Sequence, residues 1–259
     1  LTLFHFNRMG SEASVKYLIF GAVSAALMLF GISWIYTLTG SLFFLEPEFS
    51  DALLRAPMVP LVIGVTFIFA GVLFKIGAVP FHVWSPDVYT AAPTPLVALF
   101  STVPKIAGLA FLMKWVLIIN LFSLGPVDWI SVLGALASAA LLVGNFSALR
   151  QEKVKRMMAY SSIAHTGFLM IPVVSLSEQG SRNLFFYAVV YALMNLGVFL
   201  IIHFFEKYEN AIKISDYRGM IKKYPTLSVL MVVLMVSLVG VPPTAGVTAK
   251  LLIFTSIWE

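Results

Sequence analysis

FKIGAVPFHVWSPDVYTAAPTPLVALFSTVPK, residues 74–105, decides the fold. It begins at the end of an apolar run that opens at Pro57, with Lys75 directly before Gly77 and Pro80. Proline removes an intrahelical hydrogen bond and frees a carbonyl, which a membrane tolerates where the backbone lines a cavity. A second half-helix running towards Thr90 is therefore expected beyond Pro80. Pro93 opens a new apolar run, and Lys105 lies 12 residues further on. That is roughly 18 Å along a helix, which puts the lysine near mid-membrane.

The rest of the chain agrees with a membrane setting. Of its 259 residues 60% are hydrophobic and 11% charged, and the mean hydropathy is +0.95. A soluble domain of this length could not cover itself with so little polar surface. Apolar runs fall at residues 14–38, 57–78, 93–119, 129–149, 157–176, 183–205 and 225–258. Each is long enough for a hydrocarbon core about 30 Å thick, and backbone groups in hydrocarbon must pair within the segment. The expected fold is all-α: a polytopic membrane helix bundle of seven spans in a single membrane domain, residues 1–259.

Loop charge orients the bundle. Arg150, Lys153, Lys155 and Arg156 share one short loop, and Lys207, Lys213, Arg218, Lys222 and Lys223 another two spans later. The connection between them carries Glu178 and Arg182, while residues 39–56 set Arg55 against Glu46, Glu48 and Asp51. The positive-inside rule places both basic loops in the cytoplasm or matrix. The N-terminus is then inside, as Arg8 also indicates, and the C-terminus outside.

Several chemistries are excluded or unsupported. The net charge of +5 sits in clusters beside apolar runs and is not interleaved with aromatics, so it does not describe a nucleic-acid groove. With no cysteine, the chain has no disulfide, thiolate nucleophile or cysteine-ligated iron–sulfur cluster. No phosphate-binding glycine loop and no HExxH pair is present. No cofactor or metal site is expected in this chain. It begins at Leu1 without a cleavable signal pattern and ends at Glu259 on an apolar run, so it reads as a fragment.

Intramembrane charge is the functional signal, because a lysine at the bilayer centre costs about 2.5–3.5 kcal/mol on insertion scales. Besides Lys75 and Lys105, Lys250 follows Pro242, Pro243 and Gly246 in the last span, and His165 lies inside Tyr-Ser-Ser-Ile-Ala-His. Lys16 and Lys114 lie near span ends, where snorkelling explains them, and His5 and His203 fit interfacial positions. A lone His165 also fits a hydrogen-bonded core residue. A purely structural Lys105 would need a buried acidic partner, and no run contains an acid well inside it. The buried lysines are expected to be neutral for part of the time. Two interrupted helices, each with a lysine beside the break, are what repeat-built transporters use at mid-membrane ion sites.

On these residues the chain resembles the antiporter-like membrane subunits of proton-pumping NADH:quinone oxidoreductase, respiratory complex I, and among them the N type (subunit 2 in mitochondria). Residues 74–105 resemble that type's signature almost throughout. VKRMMAYSSIAHTGF (154–168), GVPPTAGVTAK (240–250) and SEASVKY (11–17) resemble further blocks in the expected order. The sister L and M types share the PFH and APTP elements but usually differ at residues 86–89 and 101–105.

The resemblance implies a share of an inverted-repeat antiporter-like fold with two proline/glycine-broken helices, within a subunit longer at both ends. It implies that Lys75 and Lys250 are the broken-helix lysines and Lys105 the connecting lysine. His82 and His165 would lie on the polar axis, with Lys16 a further position. The implied function is proton translocation along this Lys/His line, driven by quinone reduction elsewhere in the oxidoreductase. Flavin, iron–sulfur clusters and quinone would belong to partner subunits. The implied partners are other membrane-arm subunits, the lipid bilayer, and protons and water, in a bacterial plasma membrane or an organellar inner membrane. Two alternatives stay open: a cation/proton antiporter subunit without a redox partner, and a non-pumping membrane scaffold.

Overall fold

The computed structural model describes residues 8–44, 46–121 and 127–257. The expectations placed on Leu1, His5, the side chain of Arg8, Trp258 and Glu259 lie outside the described residues. Eleven α-helices follow in order among the described residues: α1 (Arg8–Thr39), α2 (Pro47–Arg55), α3 (Met58–Ile76), α4 (Trp84–Ala91), α5 (Thr94–Leu121), α6 (Trp129–Ala148), α7 (Val154–Ser175), α8 (Glu178–Glu209), α9 (Met220–Lys223), α10 (Pro225–Val239) and α11 (Ala245–Thr255). Six of these, α1, α3 and α5–α8, are long and apolar enough to cross a membrane. The seventh expected run is divided between two shorter apolar helices, α10 and α11.

Both expected breaks are present, and the residues at them explain why. Gly77 ends α3 in the left-handed region at φ 69°, and its N–H bonds back to Phe74. Gly240 ends α10 in the same way at φ 84°. An L side chain is disfavoured there, so glycine supplies the stop. Counting the stop glycine, seven residues separate α3 from α4 and five separate α10 from α11, and each break carries one cis X–Pro bond, Val79–Pro80 and Pro242–Pro243. The second half-helix expected beyond Pro80 is α4, and it carries Asp87 in its first turn. Its end comes from Ala92, held extended ahead of Pro93.

Two other boundaries differ from the apolar runs. Helix α8 continues past residue 205 through Glu206, Lys207 and Glu209, stopping at Asn210 with φ 52°. Hydropathy marks the bilayer edge, whereas the helix stops where a residue adopts the left-handed conformation. Helix α2 falls in a stretch too short and polar to register as a span. It is amphipathic and buries Phe49 and Leu53. Asp128 caps α6 by accepting the Ser131 N–H at 3.1 Å. The Ser131 hydrogen bonds hold that carboxyl below its ordinary value.

Helices α5, α7 and α8 pack against one another at the centre. Around them, α1 packs on α3, α6 along α7, and α10 and α11 against α8. Small residues bring α6 and α7 close, with Gly144 against Ala164 and Gly167 against Ala137. Leu18, Phe185, Leu193 and Leu200 point outward, as a lipid-facing surface requires. The two basic loops lie side by side. Val154 N–H donates to the Ile212 carbonyl at 3.1 Å and Ile214 N–H to the Glu152 carbonyl at 2.8 Å. Loops bonded to each other share one membrane face, in agreement with the charge rule.

Candidate proton-carrying site

Lys105 occupies the middle of α5 and is only 3% exposed. Its Nζ donates to the Ser162 carbonyl at 2.7 Å and to Ser162 Oγ at 2.5 Å, both on α7. The ammonium lies 5.9 Å from the centre of the Tyr191 ring. No aspartate or glutamate pairs with it among the described residues. A buried cation resting on a carbonyl, a hydroxyl and a ring face is solvated but not neutralised.

Ser162 is the hub of this site. Tyr191 Oη lies 3.0 Å from its Oγ, and Tyr89 Oη on α4 lies 3.5 Å away. One turn further along α7, Thr166 reaches the Ile76 carbonyl at 3.0 Å, supplying a donor to the end of broken α3. Trp84 Nε1 does the same for the Phe74 carbonyl at 3.2 Å. At the first break the Ile76 carbonyl is thus held by α7, and the Phe74 carbonyl takes Trp84 as a second donor beside the Gly77 N–H.

His165 shares this face of α7 and is 4% exposed. Its Nδ1 lies 2.5 Å from Tyr187 Oη, and its ring is 5.0 Å from that of Tyr191. Phe168 stands between His165 and Lys250. Its ring is 6.1 Å from the imidazole, and the Lys250 ammonium lies 4.4 Å from its centre. Lys250 Nζ donates to the carbonyls of Leu238 and Val239, each at 2.9 Å, capping the C-terminal end of α10. That end bears a partial negative charge, so the second break forms a cation seat which the lysine fills.

The remaining sequence-picked residues are placed differently. Lys75 is exposed on a cleft of about 570 Å³ between α1, α3 and α5, where Tyr17, Phe74 and Phe100 are neighbours. Between Lys75 and Lys105 runs a seam lined by Gly77, Ser85, Tyr89 and Ile163. The seam is too narrow to take a water molecule. His82 lies in the first break, its Nδ1 buried without a hydrogen-bond partner among the described residues.

Lys16 stands apart from Lys105 and His165, near the end of the bundle that carries Arg156. It pairs with Asp87 at 2.8 Å and Glu12 at 2.7 Å, while Arg156 holds the other Asp87 oxygen at 3.2 Å. Asp87 thereby ties α4 to α1 and α7. Lys114 is exposed, as a snorkelling residue would be.

Near the same end, a cavity of about 470 Å³ is lined by Lys153, Lys155, His203, Glu206 and Lys207. Glu206 accepts from Lys155 at 3.0 Å and from the Thr94 hydroxyl.

Sequence reading missed Ser162, Tyr187, Tyr191 and Asn195, although one signal was present. Asn183, Tyr187, Tyr191 and Asn195 recur every four residues on α8, and all four are buried. Such spacing puts polar groups on one helix face, where they need partners on neighbouring helices. Asn183 Nδ2 reaches the Leu252 carbonyl on α11 at 2.6 Å, and Asn195 Nδ2 reaches Ser101 Oγ on α5 at 2.5 Å.

Two lysine-bearing broken helices beside a buried lysine–serine–tyrosine cluster define an antiporter-like membrane subunit. Comparison with known proteins agrees: the chain belongs to the family described as NADH:quinone oxidoreductase/Mrp antiporter, transmembrane, which it matches over residues 1–259. NADH-quinone oxidoreductase subunit N of Chlorobium chlorochromatii (strain CaD3) is 39% identical over 261 residues, covering 98% of this chain and 51% of that protein. In a structure of respiratory complex I from Thermus thermophilus with bound aureothin, one chain is 31% identical with a TM-score of 0.81, covering 98% of this chain and 54% of that one. A chain of the membrane-bound sulfane sulfur reductase, an archaeal respiratory membrane complex, is 27% identical with a TM-score of 0.87. That match covers 99% of this chain and 52% of the other. The chain spans about half the length of the curated relatives it matches.

Proposed function

We propose that this chain carries protons across the membrane as part of an N-type subunit of NADH:quinone oxidoreductase. The observation that carries the reading is Lys105: a mid-span lysine, buried, without an acidic partner, and held by groups that serve either of its charge states. In this reading Lys75 exchanges a proton with Lys105 when the seam between them admits water. His165 relays it towards Lys250, which connects to the outer face. The cavity at Glu206 supports entry from the inner side, since Thr94 begins the helix that bears Lys105. His82 contributes at the first break, and Lys16 steadies α4 through Asp87.

Two ammonium groups about 10 Å apart repel by about 1.7 kcal/mol at an effective dielectric near 20. That biases where a proton resides but is too little to pump unaided, so the driving energy comes from elsewhere. Quinone reduction in partner subunits, which hold the flavin and iron–sulfur clusters, supplies it. The other membrane-arm subunits are the neighbours, and the membrane is a bacterial plasma membrane.

Sealed inside-out vesicles containing the assembled complex test this reading. Adding NADH and quinone is expected to start proton uptake, while a sodium gradient without NADH moves no protons through the complex. Proton movement driven by the sodium gradient alone, and lost when this chain is deleted, would establish the antiporter instead.

A further inference from the structure

We propose that Tyr191 is a positioning residue of the proton line, its single hydroxyl proton changing acceptor between Ser162 and Ser101 as Lys105 changes charge. The inference rests on the reading of Lys105 as a proton carrier and goes beyond it to name what orients the lysine's partner.

The geometry is one donor with two acceptors. Tyr191 Oη lies 3.0 Å from Ser162 Oγ and 3.2 Å from the Ser101 carbonyl. A phenol has one proton, so only one of these bonds forms at a time. Ser162 Oγ also has one proton, and Lys105 Nζ is 2.5 Å from it.

When Lys105 is an ammonium it can only donate, so Ser162 Oγ accepts from it. The ammonium repels the serine proton, which turns away from it to Tyr191 Oη as the nearest hydroxyl, leaving the Tyr191 proton for the Ser101 carbonyl. When Lys105 is a neutral amine its lone pair accepts from Ser162, and Tyr191 donates to Ser162 Oγ. The two charge states therefore select opposite directions along the same three-residue chain. That chain ends at a carbonyl, which has no proton to give, so Tyr191 orients Ser162 and does not conduct.

The surroundings fix this arrangement. Ser101 is held by Asn195 Nδ2 at 2.5 Å and itself bonds the Ala98 carbonyl at 2.8 Å. Tyr191 is fully buried, and its ring lies beside that of His165. The other hydroxyl facing Ser162 is Tyr89 at 3.5 Å, too long to replace Tyr191 without movement. Tyr191 thus joins α5, α7 and α8 at the point where the lysine changes charge.

The test uses Tyr191→Phe, Ser162→Ala and the double variant in the assembled complex, with exposed Tyr36→Phe as control. NADH-driven proton uptake per assembled complex is recorded against pH. Tyr191→Phe keeps the ring, so assembly should match the control, while uptake falls about tenfold, in the range a lost buried hydrogen bond gives. The shape of the pH profile should change as well. Because both residues act through one chain, the double variant should be no slower than the slower single variant.

Normal uptake with Tyr191→Phe, or single effects that multiply in the double variant, would overturn the proposal while leaving Lys105 as carrier. Loss of assembly with Tyr191→Phe would assign the residue to packing and overturn it too. Lys105→Ala in the same vesicles separates the two claims, because normal uptake there removes the carrier reading itself.

Discussion

Gly246→Ala is expected to remove the assembled complex from the membrane. A Cβ at this position would overlap the Ser237 carbonyl oxygen and lie 2.7 Å from the Ser237 carbonyl carbon. Both atoms are backbone, so no side-chain rotation relieves the clash. Helix α11 would have to move away from α10, which also breaks the bond from Gly246 N–H to Ser237 Oγ at 3.2 Å. Lys250 lies one helical turn further on and would lose its reach to the Leu238 and Val239 carbonyls. Overpacking of a well-packed site typically costs about 1–3 kcal/mol, and rigid backbone on both sides puts this one at the upper end or beyond. Native gels should show at least a tenfold loss of assembled complex, a factor worth about 1.4 kcal/mol. Gly134→Ala is the control, since its nearest neighbour would be Val174 at 3.8 Å. Assembly of Gly246→Ala at control levels would show that the α10–α11 junction yields more readily than its contacts require.

Lys105→Arg is expected to stop coupled turnover. Arginine keeps the positive charge and the donors facing Ser162, but it stays protonated under all working conditions and cannot pass its proton on. The larger planar head must also fit a site that leaves the lysine 3% exposed, between Ser162 and the Tyr191 ring. A permanent, unneutralised charge then remains in a site that Lys105 leaves without an acid. NADH oxidation per assembled complex in coupled membranes should fall at least tenfold, equivalent to about 1.4 kcal/mol on the barrier. Near-normal turnover would mean that a fixed positive charge suffices, and would take proton exchange away from this residue.

Much of this architecture was legible because a bilayer leaves few choices. Runs of apolar residues must be helices, Gly77 with Pro80 and Pro242 with Pro243 must interrupt them, and the basic loops must share a face. Gly246, however, read as part of the second break, lies inside α11, and Gly240 makes the stop. Lys105 stood out through its distance from Pro93 and the lack of an acid. What stayed hidden depends on which helix faces which. Ser162 is an ordinary serine until α5 brings Lys105 against it, and Asp87 shows no role until α1 and α7 supply Lys16 and Arg156. The row from Asn183 to Asn195 could have been found by counting in fours, but its tyrosines also fit an apolar helix face. Helix α2 escaped because hydropathy over a span-length window averages out nine amphipathic residues.

Proton counting in sealed vesicles bears most directly on the claim that Lys105 carries protons. Lys105→Ala removes a buried, unpaired cation and its desolvation cost of a few kcal/mol, so assembly should survive. Ser162 would keep Tyr191 beside its hydroxyl at 3.0 Å, so the serine is not left without a partner. With assembled complex quantified in the same membranes, NADH-driven proton uptake by the alanine variant should fall at least about tenfold below that of the unaltered chain. Uptake by fully assembled Lys105→Ala complex at the unaltered rate, with the same number of protons per NADH, would contradict the account and leave a membrane scaffold in its place.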